Sequence, residues 1–447
     1  MGNSMSDEKC VRIKSKSGYV CDYECEAVPS EARKRWYIIA LIWTAIGIDI
    51  SGLYLASYLS GGLSFGAAVS VTLIGSAILS ILAALCGNVG FSTGFSTALL
   101  SNSIFGLWGG KLINIMLPLS LVGWFAFQLD FFGEILQKSL CYYQLFPERL
   151  SILGFGMLLM TIPAIWGVCA LGTLSTFSVS LMLVLIIIGI FLAAQNQSTV
   201  VAPLTLTSSL SMGNGISYVV SIWIMAVVIS PDIARYAKTR KDAILGAGIG
   251  FFVGNSIIIL IALILTHLVG SSDLVEIFFS IGLGISAIVI LIFAQWTTNN
   301  SNLISSALGL SVVMRSVPRP VLVTLLALAG LGLACNGMVT NFTVFLSLLG
   351  IFISPIAGVY LAEYYFLGAR HIAQRIDTAK VVNVPACKVV NVPACIAWII
   401  GSGTSLLTSP EFSGKLTLTT VPALDGVSVS IIIYVALSSI MQKRLAG

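Results

Sequence analysis

The chain is short of charge. Of 447 residues only 9% are Asp, Glu, Lys or Arg, against 57% hydrophobic. A soluble protein averages about 25% charged, so a water-solvated globule of this length is excluded. Histidine is nearly absent: there are two, His267 and His371. Neither has an acid or Cys at ligand spacing, which leaves no catalytic metal site and no nucleophile–base pair to read. The nine cysteines, Cys10, Cys21, Cys25, Cys86, Cys141, Cys169, Cys335, Cys387 and Cys395, are odd in number and scattered, so they form no disulfide framework. Cys86, Cys169 and Cys335 lie in apolar runs and read as small hydrophobes. Cys21 and Cys25 have no second ligand pair beside them. The net charge of +5 belongs to short polar links rather than to a basic groove, which argues against nucleic acid.

What is present in excess is apolar sequence in runs long enough to cross a bilayer, whose ~30 Å core needs roughly 20 such residues. About twelve runs occur, at 36–58, 65–85, 112–136, 152–168, 177–194, 216–237, 243–268, 281–310, 321–338, 342–366, 389–407 and 427–441. The preceding stretch, 1–34, is polar and lacks the apolar core of a cleaved signal peptide. It is expected to be a cytoplasmic tail before a single polytopic domain, 35–443. With the N-terminus inside, only Lys138, Arg149 and Lys415 of the 23 Lys and Arg fall outside. That asymmetry orients both termini toward the cytoplasm and supports an even number of spans. One oddity is "KVVNVPAC", repeated in tandem at Lys380–Cys387 and Lys388–Cys395. Two copies are too few for a repeat architecture, and they read as a duplication tolerated in a loop.

Three spans are interrupted. The first contains "AIGIDISG", with Asp49 between Gly47 and Gly52. The sixth contains "VVISPDIARY", where Pro231 breaks a helical hydrogen bond and Asp232 follows. These spans open two successive sets of five. Breaks at matching positions in two halves point to a secondary transporter with inverted repeats, because non-helical backbone is tolerated at membrane depth only against protein or a watery cavity. Ordinary kinks are the alternative. A lone acid such as Asp49 costs about 3 kcal/mol at the bilayer centre, so it calls for a partner, a bound cation or a proton. Asp232 and Arg235 are three apart and can pair on one face. Asp130, Glu134 and Glu363 are read as reaching an interface, and His267 as interfacial.

The eighth span breaks its apolar run for Thr297, Thr298, Asn299, Asn300, Ser301 and Asn302. Thr297 and Ser301 share a helix face, as do Thr298 and Asn302; Asn299 and Asn300 face elsewhere, toward the scaffold. In the third span, Trp124 and Gln128 are four apart. A flat indole with an amide one turn away suits a planar, hydrogen-bonding ligand, and packing against a neighbouring helix is the alternative. Trp223 lies two turns before the sixth-span break.

Seven short motifs in this order complete the picture: "ARK" before the first span, "TGFSTALL" (Thr93–Leu100), "VGWF" (Val122–Phe125), "PDIARY" (Pro231–Tyr236), "FFVGNS" (Phe251–Ser256), "WTTNN" (Trp296–Asn300) and "SPIAGVYLAEY" (Ser354–Tyr364). From about Ser30 to Lys443 the chain resembles a bacterial member of the nucleobase–cation symporter family, of the cytosine-permease type. The resemblance implies an all-α membrane fold of about twelve helices. Two inverted five-helix repeats, about 35–194 and 214–366, would be followed by two additional helices, about 389–441. The first and sixth helices would be broken. It implies a cell-membrane carrier, not an enzyme, that moves a nucleobase by alternating access with sodium or protons and works as a monomer without other cofactors. It implies Trp124, Gln128 and Trp223 at the substrate, and Thr297 and Thr298 near the cation. Met225, Asn299, Asn302 and Asp49 are expected to complete the substrate site, and Asp49 and Ile48, at the first-span break, the cation site.

Three positions depart from the permease pattern. Met225 replaces a Ser, Ala294 replaces an Asn, and Asp49 stands where an uncharged residue is usual. Cytosine itself is therefore open, and an amine or amino-acid symporter with Asp49 as substrate counter-ion is the second reading.

Overall fold

The structure is a computed structural model, and it describes residues 33–166, 171–195, 210–314, 316–368, 390–414 and 416–446. Residues 1–32 of the N-terminal tail, with Cys10, Cys21 and Cys25, together with Cys169, Cys387 and the first KVVNVPAC copy, lie outside the described residues. Helices dominate. In chain order they are α1 (Trp36–Gly47), α2 (Ile50–Gly62), α3 (Phe65–Thr93), α4 (Thr97–Tyr142), α5 (Arg149–Trp166), α6 (Leu171–Gln195), α7 (Met212–Ser221), α8 (Ile224–Val228), α9 (Ser230–Ala234) and α10 (Arg240–Val269). There follow α11 (Leu274–Ser280), α12 (Gly284–Val313), α13 (Arg319–Cys335), α14 (Phe342–Phe352), α15 (Ser354–Ala362) with a π-helical continuation Glu363–Gly368, α16 (Val392–Thr408) and α17 (Pro422–Ala446).

Among the described residues, five helical stretches are long and apolar enough to cross a membrane: Phe65–Thr93, Thr97–Tyr142, Arg240–Val269, Phe342–Gly368 and Pro422–Gln442. The pair α1 and α2 makes a sixth if counted as one span, bent by 61°. Four shorter apolar helices, Arg149–Ile165, Val184–Gln195, Arg319–Cys335 and Val392–Thr408, add to these. Their outer faces are apolar too: Leu41, Ile81, Phe155, Phe191, Ile399 and Ile432 are each more than half exposed. Water does not tolerate that much contiguous apolar surface.

The interior divides into two cores, and α4 faces both. One core holds Val122, Phe125, Leu129 and Phe132 of α4 with Ile152, Leu153 and Met160 of α5, Leu303, Ile304 and Ala307 of α12, and Leu322 and Val323 of α13. The other holds Trp124, Phe127, Phe131 and Ile135 of α4 with residues of α1 to α3, α7 to α10 and α14 to α17. Steps of three and four place these sets on opposite sides of one helix. In the larger core α1 crosses α10 closely. A Cβ at Gly47 would fall 2.8 Å from the Gly254 Cα, so only a residue without a side chain fits.

Three sequence expectations change. The link before the third span is partly helical. Helix α4 starts at Thr97, where Ser96 caps it and the Asp232 carboxylate accepts from the Thr97 N–H at 2.7 Å. A straight helix of 46 residues would run ~69 Å at about 1.5 Å per residue. Gly106, at φ 82° and ψ 175°, and Pro118 interrupt it instead. The sixth span is distorted over more than the Pro231 position: turns at Ile222–Trp223 and at Ile229 separate α7, α8 and α9. Pro231 itself sits in the first turn of α9, where its missing N–H costs nothing. Finally, the second KVVNVPAC copy is not all loop. Its Asn391 is buried and donates to the Ile104 carbonyl at 2.6 Å and to the Tyr434 hydroxyl at 3.1 Å.

Candidate functional site

The break between α1 and α2 is centred on Ile48 and Asp49. Asp49 has extended backbone, φ −126° and ψ 151°, and acts as the N-cap of α2. Its Oδ1 accepts from the Ile50 N–H at 2.8 Å, and its Oδ2 accepts from the Ser51 hydroxyl at 2.6 Å. A carboxylate here also meets the positive end of α2. Ile48 closes α1, its N–H bonded to the Thr44 carbonyl at 3.1 Å. The end of a helix leaves carbonyls without intrahelical donors, and oxygens of that kind suit a hard cation.

Gln128 of α4 reaches the same point. Its Nε2 lies 3.4 Å from each Asp49 oxygen. Gln128 is buried, and its Oε1 has no hydrogen-bond partner. One turn earlier, Trp124 packs edge-on against Phe127, Phe342 and Phe345, with centroids 6.0, 6.4 and 5.1 Å away. Tyr54 of α2 adds edge contacts to Phe127, Phe131 and Phe342 at 5.6, 5.0 and 5.0 Å. The sequence reading missed this aromatic wall. The spacing of Trp124 with Phe127, and of Phe342 with Phe345, was its only local signal.

Met225 of α8 also meets α4: its sulfur accepts from the Ser120 hydroxyl at 3.0 Å. Trp223 is half-buried and packs edge-on against Phe251 of α10 at 6.0 Å, which in turn packs on Trp43 of α1. It thus has a different set of ring partners from Trp124.

Helix α12 runs through its polar stretch without a break. Its backbone stays hydrogen-bonded within the helix, and its side chains turn to separate tasks. Asn299 is fully buried and donates to the Phe125 carbonyl of α4 at 3.1 Å and to the Met160 sulfur of α5 at 3.1 Å. Its Oδ1 accepts from Asn302 Nδ2 at 3.3 Å. Asn299 therefore braces the smaller core, and Asn302 holds Asn299. Asn300 donates to the Trp296 carbonyl at 2.9 Å. Thr298 is half-buried and donates to the Ala294 carbonyl at 2.9 Å. The Thr297 side chain lies outside the described residues. The structure thus brings Asp49, Gln128 and Trp124 into one region, with Met225 one turn along α4. Trp223, Thr298, Asn299 and Asn302 sit on adjoining elements with partners of their own.

Two acids expected at an interface are deep inside. Asp130 is 0% exposed, pairs with Arg149, and accepts from the Val339 N–H at 2.8 Å. The Val339 carbonyl accepts from the Tyr54 hydroxyl at 3.2 Å, so Val339 clips α2 to α4. Glu363 is 1% exposed and accepts from the Tyr434 hydroxyl at 2.5 Å. Their partners are distant in sequence, which is why no local pattern revealed them. Glu134 does sit at the rim, paired with Lys138 at 2.7 Å; Lys138 also meets Asp273 at 2.5 Å. A cleft of about 280 Å³ lies beside these, lined among others by Tyr54, Tyr58, Phe131, Glu134, Lys138 and Asp273. Asp273 caps α11; burial pushes its carboxyl up, but the Lys138 ammonium and the Val275 and Glu276 N–H groups outweigh that and hold it below the ordinary value. Arg235 donates to the Asp232 backbone carbonyl at 3.2 Å. Among the described residues no group of three or more His, Cys, Asp or Glu is placed to hold a metal ion.

The comparisons with known proteins show a permease family. Residues 27–425 match a family described as permease for cytosine/purines, uracil, thiamine, allantoin. Cytosine permease of Escherichia coli (strain K12) is 27% identical over 363 residues, 80% of this chain and 84% of the relative. Among solved structures, the inward-facing conformation of Mhp1 has a TM-score of 0.79 at 18% identity, covering 97% of this chain and 96% of that one. Mhp1 in a closed conformation with bromovinylhydantoin bound, described as a nucleobase-cation-symport-1 family transporter, has a TM-score of 0.70 at 20% identity, covering 93% and 96%. At these identities the structural likeness speaks for the fold.

Proposed function

We propose, for a chain that belongs to the family of permeases for cytosine/purines, uracil, thiamine and allantoin, that it carries a small planar nitrogen heterocycle inward together with a cation. The observation that carries this reading is the junction of the 61° bend in the first span with Gln128 and Trp124 of the third. A membrane helix gives up its own hydrogen bonds only where something else uses the freed groups. Here a carboxylate, an amide and an indole flanked by Phe rings converge on the bend. Flat walls with a few polar atoms fit a ring better than a flexible amino acid, which is why the heterocycle is favoured over the amine or amino-acid reading.

In this reading Trp124 and Trp223 supply aromatic surface, Gln128 and Asp49 hydrogen-bond the ring, Met225 shapes the pocket wall, and Asn299 and Asn302 act from behind it by holding α12 to α4. The Ile48 carbonyl and the Thr297 and Thr298 hydroxyls, with Asp49 nearby, form the position for the coupling ion, sodium or a proton. Those donor types suit a small hard cation. The remaining architecture follows the sequence: twelve spans, two inverted repeats of five, and two further helices. The single domain sits in the plasma membrane with both termini cytoplasmic and functions as a monomer. Alternating access then needs no covalent chemistry.

The test is uptake of labelled cytosine, uracil and a hydantoin into proteoliposomes under an imposed sodium or proton gradient. Saturable, gradient-driven accumulation that falls at least about tenfold in Trp124→Ala is expected. Uptake of none of the three under either gradient overturns the proposal.

A further inference from the structure

The first-span bend has more acceptor capacity than its donors fill. Asp49 contributes a carboxylate, with capacity for about four donors. Its strong partners are only two, the Ile50 N–H at 2.8 Å and the Ser51 hydroxyl at 2.6 Å. Gln128 adds two longer contacts at 3.4 Å. A carboxylate cannot donate, so the Gln128 amide must turn its NH₂ toward Asp49. Its carbonyl oxygen then points away, and that buried Oε1 has no hydrogen-bond partner. Leaving a buried acceptor unpaired is costly, and a ligand that donates to it removes the cost. Among the described residues no Lys, Arg or His lies within salt-bridge distance of Asp49. No cationic side chain among them answers its negative charge.

Three agents could answer it: the coupling cation, a proton, or the substrate. The direction in which Asp49 points separates them. Its side-chain partners among the described residues come from α2 and from Gln128 of α4, the helix that carries Trp124. On α12 the described Thr298 hydroxyl is turned onto its own helix, on the Ala294 carbonyl. The contact of Asp49 with Gln128 joins it to the helix that carries the ring-binding wall.

From this we infer, resting on the transporter reading above, that Asp49 is the counter-ion of the substrate. The site takes a flat heterocycle with adjacent N–H donors and positive charge: an amidine-like edge such as an amino group beside a protonated ring nitrogen. That edge matches a carboxylate with two parallel hydrogen bonds, and a further N–H meets the Gln128 oxygen. A 4-oxo ring, which presents a carbonyl at the same edge, would set acceptor against acceptor.

The experiment uses the purified full-length protein, with tryptophan-fluorescence titration of three probes: cytosine, which presents that edge once its N3 is protonated, uracil, and the protonated ring 2-aminopyridinium. Wild type, Asp49→Asn, Asp49→Glu and Gln128→Leu are compared, and the melting temperature of each is followed with and without sodium. The two amino rings are expected to bind wild type at least about tenfold more tightly than uracil. Asp49→Asn should lose about tenfold or more for the amino rings, with the sodium response unchanged. Asp49→Glu should recover part of that loss, and Gln128→Leu should weaken amino rings without touching the charge. Amino-ring affinity unchanged in both Asp49→Asn and Gln128→Leu overturns the inference and leaves the transporter reading standing. So does a sodium response lost in Asp49→Asn with ring binding kept, which would assign Asp49 to the cation. No ring binding by wild type overturns both.

Discussion

Replacing Arg149 by Met should damage this protein more than removing the acid it binds. Asp130 is 0% exposed, whereas the Arg149 side chain is 43% exposed. In Arg149→Met the carboxylate stays buried and keeps the Val339 N–H at 2.8 Å, with no positive charge beside it. Breaking a buried pair by removing one partner costs about 3–5 kcal/mol, because a desolvated charge is left behind. In Asp130→Asn the amide keeps an oxygen for Val339, and Arg149, already partly in water, resolvates. The loss is then nearer that of one hydrogen bond, about 1–1.5 kcal/mol. The double variant Asp130→Asn/Arg149→Met leaves no buried charge and should be more stable than Arg149→Met alone. At roughly 2 °C per kcal/mol for a large domain, Arg149→Met should melt ~6–10 °C below wild type and Asp130→Asn ~2–3 °C below. Tryptophan fluorescence of the detergent-purified variants reads this directly. If Arg149→Met melts no lower than Asp130→Asn, or the double variant no higher than Arg149→Met, the account of this pair is wrong.

Gly47→Val should abolish correct packing, since its Cβ would lie 2.8 Å from the Gly254 Cα; loss of the monodisperse size-exclusion peak is the readout. Asp232→Ala removes the acceptor for the Thr97 N–H at 2.7 Å and should cost about 1–2 kcal/mol, as loss of a capping carboxylate does, visible as a lowered melting temperature. Lys138→Met removes partly exposed pairs with Glu134 and Asp273 and should cost no more than about 1 kcal/mol. Because the Asp273 carboxyl is held below its ordinary value of 3.8, its contribution is complete above that pH and lost only as pH falls through the lowered value. The difference in melting temperature between Lys138→Met and wild type should therefore be flat from mildly acid to neutral pH, and a difference that changes across that range would contradict it.

The bend in the first span was legible, because an acid flanked by Gly47 and Gly52 inside an apolar run marks a helix that has to open. The polar stretch of α12 was legible as an anomaly, but its meaning was not. Asn299 serves the Phe125 carbonyl of another helix, and nothing in the local sequence names that partner. The same limit hid Asp130, whose partners Arg149 and Val339 stand 19 and 209 residues away. Local pattern finds where a helix must yield; it does not find which distant group answers a buried polar atom. The early start of α4 escaped for a related reason. Thr97–Leu112 is rich in Ser, Asn and Gly and reads as a link, yet Asp232 from the sixth span fixes its first turn.

The two faces of α4 are held in different ways, and that bears on how a carrier of this kind would move. On the face toward the smaller core, α12 is tied to α4 and α5 by Asn299 to the Phe125 carbonyl at 3.1 Å, Ser306 to the Pro118 carbonyl at 2.8 Å, and the Trp296 indole to the Leu159 carbonyl at 2.8 Å. These buried bonds join neutral groups at good length, and losing them would leave unpaired donors in an apolar interior. On the other face the contacts near the bend are Gln128 to Asp49 at 3.4 Å and Ser120 to the Met225 sulfur at 3.0 Å, long or weak by comparison. Ring edges make up much of the rest and slide at small cost, while the link from Asp130 through Val339 to Tyr54 pins one end of that face. If access alternates as proposed, α4, α5, α12 and α13 move as one block, and the slip surface is the face of α4 that carries Trp124 and Gln128. The residues proposed to hold the substrate are then the same ones that bridge the two moving parts, so a bound ring supplies the contacts that the empty interface lacks.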